Sequence, residues 1–378
     1  MMKPSSALCT GSYPYRRGFL PLRSLVLLAV AAVAVILVME AARYFGDPPP
    51  SEKKAARDLM QAALQAIKAE RQRLGVPIDP VTDPGGTGLI GEAYNDLTTT
   101  AGSLASKRTS TNPAFAAVIV EMLEGAGVRK GDPIAVSFSG SFPALNIAVL
   151  SAARAMGLKP SVISSIGASM YGANLPELTW LDMERVLTEK GLLPYRSVAA
   201  SLGGIADTKG GLDGTGIDAG LRAIRRNGIP LLEEGGRYSL RADIHRRMDL
   251  YDREMKGRRP AAFISVGGPL TSFGNVAGVE RMATGLLKKI PAVHDPDRGI
   301  LFLMGERGVP VLHLLQIRRI AARYGIPFDP VMAQADFSLG MPGAGPYSAV
   351  LAFAGLALLS LMLVVLKRRA GRIRTDGF

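Results

Sequence analysis

The chain is poor in the side chains that carry most metal and thiol chemistry: its 378 residues include one cysteine, Cys9, and three histidines, His245, His294 and His313. A single cysteine excludes an intrachain disulfide, so the fold must hold without covalent staples. Neither C-x-x-C nor H-x-x-x-H spacing occurs. A zinc site would have to rely on carboxylates, and neither a metal nor a cofactor is expected. The phosphate-cradling G-x-x-x-x-G-K-[ST] loop is missing, which excludes the common route to nucleotide hydrolysis. So is the G-x-S-x-G turn of serine hydrolases: Ser139 stands in S-F-S-G-S and Ser169 in G-A-S-M-Y,. Charged residues make up only 20% against 48% hydrophobic, a balance that builds a packed core rather than a disordered chain.

Long apolar runs are present, one at each end. Ser24–Met39 carries no charge, Phe19–Leu22 extends it upstream, and Tyr347–Leu366 is a second uncharged run. Lys3, Arg16, Arg17 and Arg23 lie before or beside the first run; Lys367, Arg368, Arg369, Arg372 and Arg374 follow the second. Basic flanks of this kind stay in the cytoplasm. The expectation is a bacterial cytoplasmic (inner) membrane protein with two spans, at about 22–42 and at 347–366, and with both termini cytoplasmic. Residues 1–45 form the N-terminal tail and first span, 46–346 the extracytoplasmic domain, and 347–378 the second span and basic tail. A cleaved signal peptide is the other reading of the first run, and a buried core helix that of the second. Of the net charge of +13, residues 43–346 hold +6, from 36 basic and 30 acidic residues. The rest is topology signal, and the basic balance is no argument for nucleic acid.

The stiff spacer Asp47-Pro-Pro-Pro50 leads into an amphipathic helix at 51–74, with Leu59, Ala63, Ile67 and Leu74 on one face,. From Asn112 onward the pattern alternates. Helices are expected from Pro113 to about Gly125, from Pro143 to Gly157, at Glu177–Lys190, Ala219–Arg226, Ser239–Met255 and Val311–Tyr324. Strands are expected at Ile134–Phe138, Ser161–Ile166, Ser197–Leu202, Ala261–Val266 and Gly299–Met304. This is an α/β domain: a mainly parallel sheet with helices on both faces, flanked by one N-terminal and one C-terminal transmembrane helix.

Such sheets bind ligands outside the carboxyl ends of their strands. Three loops there are rich in small and hydroxyl residues. The first holds Ser139, Gly140, Ser141 and Asn146; the second Gly203 and Gly204, continuing through Asp207–Gly216; the third Ser265, Gly267, Gly268, Thr271, Ser272 and Asn275. Small residues let ligand oxygens approach the backbone, and N–H groups at a helix start favour negative charge. Taken singly the loops also read as ordinary tight turns; together at one sheet edge they point to an anion or carboxylate pocket. No catalytic residue is assigned. The arginine-rich segment Arg237–Arg259 reads as a solvated helix; the other reading makes Arg246-Arg247 and Arg258-Arg259 a polyanion surface,.

The segments SFSGSFPALNIAVLSAARAMGLKPSVISSIGASMYGAN and FISVGGPLTSFGN, set between the two apolar ends, resemble the bacterial poly-gamma-glutamate system protein family. The resemblance covers nearly the whole chain. It implies an accessory component of poly-γ-glutamate capsule synthesis and export. Its partners would be the synthase membrane subunits, the polyanionic polymer and the membrane, with no nucleic acid. The ATP-consuming ligation would belong to another subunit, in keeping with the missing phosphate loop. One reading makes the domain a non-enzymatic receiver of the polymer. The alternative is an extracytoplasmic hydrolase or transferase acting on the γ-glutamyl amide, with Ser139 or Ser141 activated by His294, His313 or a carboxylate.

Overall fold

The computed structural model describes residues 22–44, 51–203, 211–232, 239–276, 282–329 and 354–366. It divides into two compact units, residues 1–47 with 342–378 and residues 48–341. The first unit contains helix α1 (Leu22–Tyr44) and a helix at 354–366. They meet where a Cβ on Gly355 would come within 2.6 Å of Val35.

The two-span expectation is overturned here. Among the described residues no helix is long and apolar enough to cross a membrane. Arg23 stands in the first turn of α1, and the helix's uncharged stretch, Ser24–Met39, is 16 residues long. At ~1.5 Å rise per residue that covers roughly 24 Å, against a hydrocarbon core of ~30 Å. The second run is helical over 354–366; 347–353 lie outside the described residues. The flanking transmembrane helices and the inner-membrane localisation with cytoplasmic termini fall together, since among the described residues the basic flanks have no spanning helix to orient.

The second unit runs α2 (Ser51–Arg73), β1 (Thr98–Thr100), α3 (Leu104–Ser110), α4 (Ala114–Gly125), β2 (Pro133–Ser139), α5 (Pro143–Ala155), β3 (Lys159–Ser165), β4 (Ala168–Ser169), α6 (Trp180–Glu189), β5 (Ala199–Ser201), α7 (Gly214–Arg226), α8 (Leu240–Glu254), β6 (Ala262–Val266), α9 (Leu270–Phe273), β7 (Gly285–Leu287), α10 (Ile300–Glu306), β8 (Val311–Leu314) and α11 (Ile317–Arg323). Six strands form one sheet in the order β5-β3-β2-β6-β8-β7, parallel except for β7. Alternation along each strand sorts side chains to two faces. Ile134, Val136, Phe138, Val162, Ile264 and Leu312 pack with the apolar faces of α2, α4, α5 and α6. Ala135, Ile163, Phe263 and Val311 pack with α8, α9 and α10. The buried face of α2 is Ala56, Met60, Ala63, Leu64 and Ile67, at helical spacing,. Leu74, expected on that face, is exposed.

Two element assignments change near the end of the unit. Gly299–Met304, expected as a strand, is the N-cap and first five residues of helix α10, and the expected helix Val311–Tyr324 is strand β8 followed by α11. A continuous apolar run such as Ile300–Met304 has no alternation, and its period cannot separate a buried strand from a buried helix turn. Val311–Leu314 extends directly after Pro310 and fills the place beside β6,.

Candidate functional site

The sheet reverses its direction of growth at β2. The chain moves from β2 through α5 to β3 on one side, while β6 lies on the other. Strand ends diverge at such a switch point and leave a crevice. A cleft of about 310 Å³ lies at this edge, lined from several segments by Thr99, Gly102, Ser103, Lys107, Ser139, Ser141, Phe142, Ser165, Ser169, Gly203 and Gly268.

The β2 end is fixed by backbone bonds to its neighbours. Gly140 N–H donates to the Ser165 carbonyl at 2.9 Å, and Ala173 N–H donates to the Gly140 carbonyl at 2.8 Å. A Cβ on Gly140 would meet the Ile166 carbonyl oxygen at 2.5 Å, so only glycine allows this approach. Asn146, buried in α5, donates from Nδ2 to the Ser139 carbonyl at 3.0 Å and ties the strand end to the helix.

Lys107 reaches the cleft from α3. It is 2% exposed, and Nζ donates to Ser169 Oγ at 2.8 Å and to the Ser141 carbonyl. Its ammonium group lies over the Phe142 ring, 3.7 Å from the centroid, a contact that favours the charged form. Among the described residues no carboxylate pairs with it. Arg108, the next residue, takes Asp329 instead, at 2.6 Å. Burial lowers the Lys107 amine from its ordinary value to about 7, because a desolvated ammonium without a counter-ion is costly.

The hydroxyls form a directed chain. Ser139 Oγ accepts from Ser141 N at 3.1 Å and donates to Ser141 Oγ at 2.9 Å; Ser169 N donates to the same Ser141 Oγ at 2.9 Å. Both acceptor positions of Ser141 Oγ are therefore taken, and its own O–H is left to donate to a ligand. Ser169 sits on β4, which pairs with β1 at Thr100.

No family model matches this chain, and neither a curated protein nor a solved structure does. The site is therefore read from its own geometry.

The structure brings Ser139 and Ser141 to this cleft together with Gly203 and Gly268, while Gly140 between the serines packs on the backbone at Ile166. Gly203 has φ +73, and a Cβ there would come within 2.9 Å of Ser165. Gly204 and residues 207–210 of the second loop lie outside the described residues. Gly267 borders the cleft as well, since a Cβ there would meet Ser139 at 3.2 Å; the other residues of the third loop go elsewhere. Ser265 is in register with Ser137 on β2 and His313 on β8, on the face covered by α8, α9 and α10. Thr271 and Ser272 are buried in α9, and Asn275 is exposed. Ser265 Oγ, Thr271 Oγ1 and His313 Nε2 have no hydrogen-bond partner among the described residues.

The serine–histidine pairing does not form. His313 is a buried strand residue whose Nδ1 lies 3.2 Å from the Ala283 carbonyl and whose ring meets Phe273 edge-on; burial lowers its pKa. His245 and His294 are exposed. Among the described residues no group of histidines, cysteines and carboxylates could hold a metal.

Lys107, Ser165 and Ser169 were not marked by any motif. The one local signal for Lys107 is an absence: no acidic residue occurs between Asp96 and Glu121, so no carboxylate lies within helical reach of it.

Proposed function

We propose that the chain binds a carboxylate-rich polymer of the poly-γ-glutamate type in this cleft, as an accessory component of its synthesis. The observation that carries the reading is Lys107: a buried lysine that lines a cleft and, among the described residues, pairs with no carboxylate. A ligand carboxylate against Nζ supplies the missing counter-charge, and the free O–H of Ser141 supplies a donor beside it. The resemblance of the segments at 137–174 and 263–275 to the poly-γ-glutamate system proteins supplies the identity of the polymer. The excess of +6 over residues 43–346 favours approach of a polyanion at low ionic strength.

The test is binding of defined-length poly-γ-glutamate to the full chain across a salt and pH series. Affinity should fall as salt rises and as pH rises through about 7, where Lys107 loses its proton. Lys107→Met should weaken binding about tenfold or more, the loss of one charge-assisted contact. Absence of binding, or binding indifferent to both salt and Lys107→Met, would overturn the reading.

A further inference from the structure

The same cleft has the parts of a covalent catalyst, and this inference rests on the binding reading only for the identity of its substrate. We propose that Ser169 is a nucleophile activated by Lys107, and that the pair cleaves or transfers the acyl group of an amide in the polymer backbone. Three geometric facts carry it. Ser169 Oγ and Lys107 Nζ are 2.8 Å apart, within reach for direct proton transfer,. Both residues line the cleft at the sheet's switch point. Lys107 is oriented from two further sides, by the Ser141 carbonyl and the Phe142 ring, so its remaining direction is toward Ser169. Histidine is not needed for such chemistry, because a buried lysine freed of its proton serves as the base.

The step balances without an added reagent. The neutral Lys107 amine takes the Ser169 hydroxyl proton as Oγ forms a bond to the amide carbonyl carbon. The carbonyl oxygen gains negative charge and meets the free O–H of Ser141, whose acceptor positions are already filled by Ser139 and by the Ser169 amide,. The C–N bond breaks, and the Lys107 ammonium returns its proton to the leaving nitrogen. The acyl group is then an ester on Ser169. Attack by water, with Lys107 again taking the proton, restores the serine and releases a carboxylic acid. Attack by an amine moves the acyl group instead.

Lys107 thus has two roles set by its proton. As ammonium it holds a carboxylate; as amine it activates Ser169. Among the described residues, the groups packed about it from the segment at 98–103, from the start of α5 and from β4 are hydroxyls, carbonyls and Phe142, and burial is what lowers its titration. Binding and turnover should therefore respond to pH in opposite directions.

The experiment treats the full chain with a fluorophosphonate, which modifies nucleophilic serines, and locates the adduct by peptide mass spectrometry. In parallel, defined-length poly-γ-glutamate is incubated with the protein and newly exposed amino groups are counted. The expected result is an adduct on Ser169 and new amino groups, with both rates rising roughly tenfold between pH 6 and 8. Ser169→Ala, which removes a single atom, should lower both rates at least about a hundredfold while leaving polymer binding in place. Lys107→Arg, a cation that cannot act as a base, should lower both rates to the same extent. No adduct and no new amino groups in the wild-type chain, or rates that persist in Ser169→Ala, would overturn the dyad. Salt-sensitive binding without either reaction removes the catalyst and leaves the binding reading. An adduct on Ser169 without polymer binding removes the polymer and leaves the dyad, acting on another amide or ester.

Discussion

Lys107 and Ser169 stand 2.8 Å apart although 62 positions separate them in the chain. The contact exists because β1 and β4 pair in parallel, with Thr98 beside Ala168 and Thr100 beside Ser169. The turn after β1 then starts α3, capped by Ser103, and one turn later Lys107 enters the cleft. A residue that acts at the carboxyl edge of β2 is thus delivered by a small second sheet outside the main one.

The burial of Lys107 has a measurable cost in stability. Its folded value is about 7 and its ordinary value 10.5. Between these the unfolded chain holds a proton that the folded chain lacks, so stability rises with pH across that window and the full penalty applies below it. Lys107→Met removes the titration. In urea denaturation the variant should gain on the wild type by as much as ~4 kcal/mol at pH 6 relative to pH 10. A constant difference between the two chains at all pH values would exclude a neutral buried amine.

Most of the main sheet was legible because its strands are short β-branched runs bounded by glycine and proline, as in Pro133–Ser139 before the Gly140 turn and Ala262–Val266 before Gly267-Gly268,. The loops after them could be placed at the carboxyl edge by topology alone. The β1–β4 pair could not be read, since Thr98–Thr100 and Ala168–Ser169 are three and two residues long and gain their order from each other across the chain. Lys107 was hidden with them. Its helix has seven residues, too short for a periodic pattern, and a lysine among serines and threonines reads locally as surface. The histidines misled in the opposite sense: His313 looked like a helix start beside a loop, whereas burial in β8 makes it part of the core.

Asn146 should matter more than its distance from the ligand suggests. Its Nδ2 bond to the Ser139 carbonyl is buried and is what joins the end of β2 to α5. Asn146→Ala leaves that carbonyl without its side-chain donor, at a cost of about 1–3 kcal/mol. The Ser139–Ser141 turn would relax with it, and polymer affinity should fall even though no ligand contact is removed. Denaturation and binding measured on the same variant check both parts; loss of stability with unchanged affinity would limit Asn146 to the fold.

Glu184 gives a second pH signature, of opposite sign and in an adjoining window. Burial pushes its carboxyl up to about 7, against the pull of the Ser197 amide and hydroxyl and of Arg196. Between its ordinary value of 4.5 and about 7 the folded chain keeps a proton that the unfolded chain releases. That contribution is complete below 4.5 and is lost as pH rises through about 7. The wild type should therefore lose up to about 3 kcal/mol across this range, and Glu184→Gln should lose much less. Parallel stability curves for the two chains would show that Glu184 does not hold a proton in the fold.

Asp182 and Arg226 lock α6 to α7 through a pair that tolerates no single loss. Burial by itself would raise the Asp182 carboxyl, yet donors from Arg226, Thr179 and Asn227 hold it below its ordinary value. Arg226 Nε reaches one oxygen at 2.8 Å, Asn227 Nδ2 the same oxygen at 2.8 Å, and Thr179 N and Oγ1 the other at 2.8 and 2.6 Å. Arg226→Met keeps the aliphatic stem and removes the charge, leaving a buried carboxylate with neutral donors only. The expected loss is about 3–5 kcal/mol near neutral pH. Because the Asp182 carboxyl would then rise, the variant should recover part of that loss as pH falls, whereas the wild type loses stability in acid as the depressed carboxyl is protonated. Adding Asp182→Asn to Arg226→Met should restore stability at neutral pH. A double variant no more stable than Arg226→Met would place the cost in lost packing of the arginine stem rather than in the stranded charge.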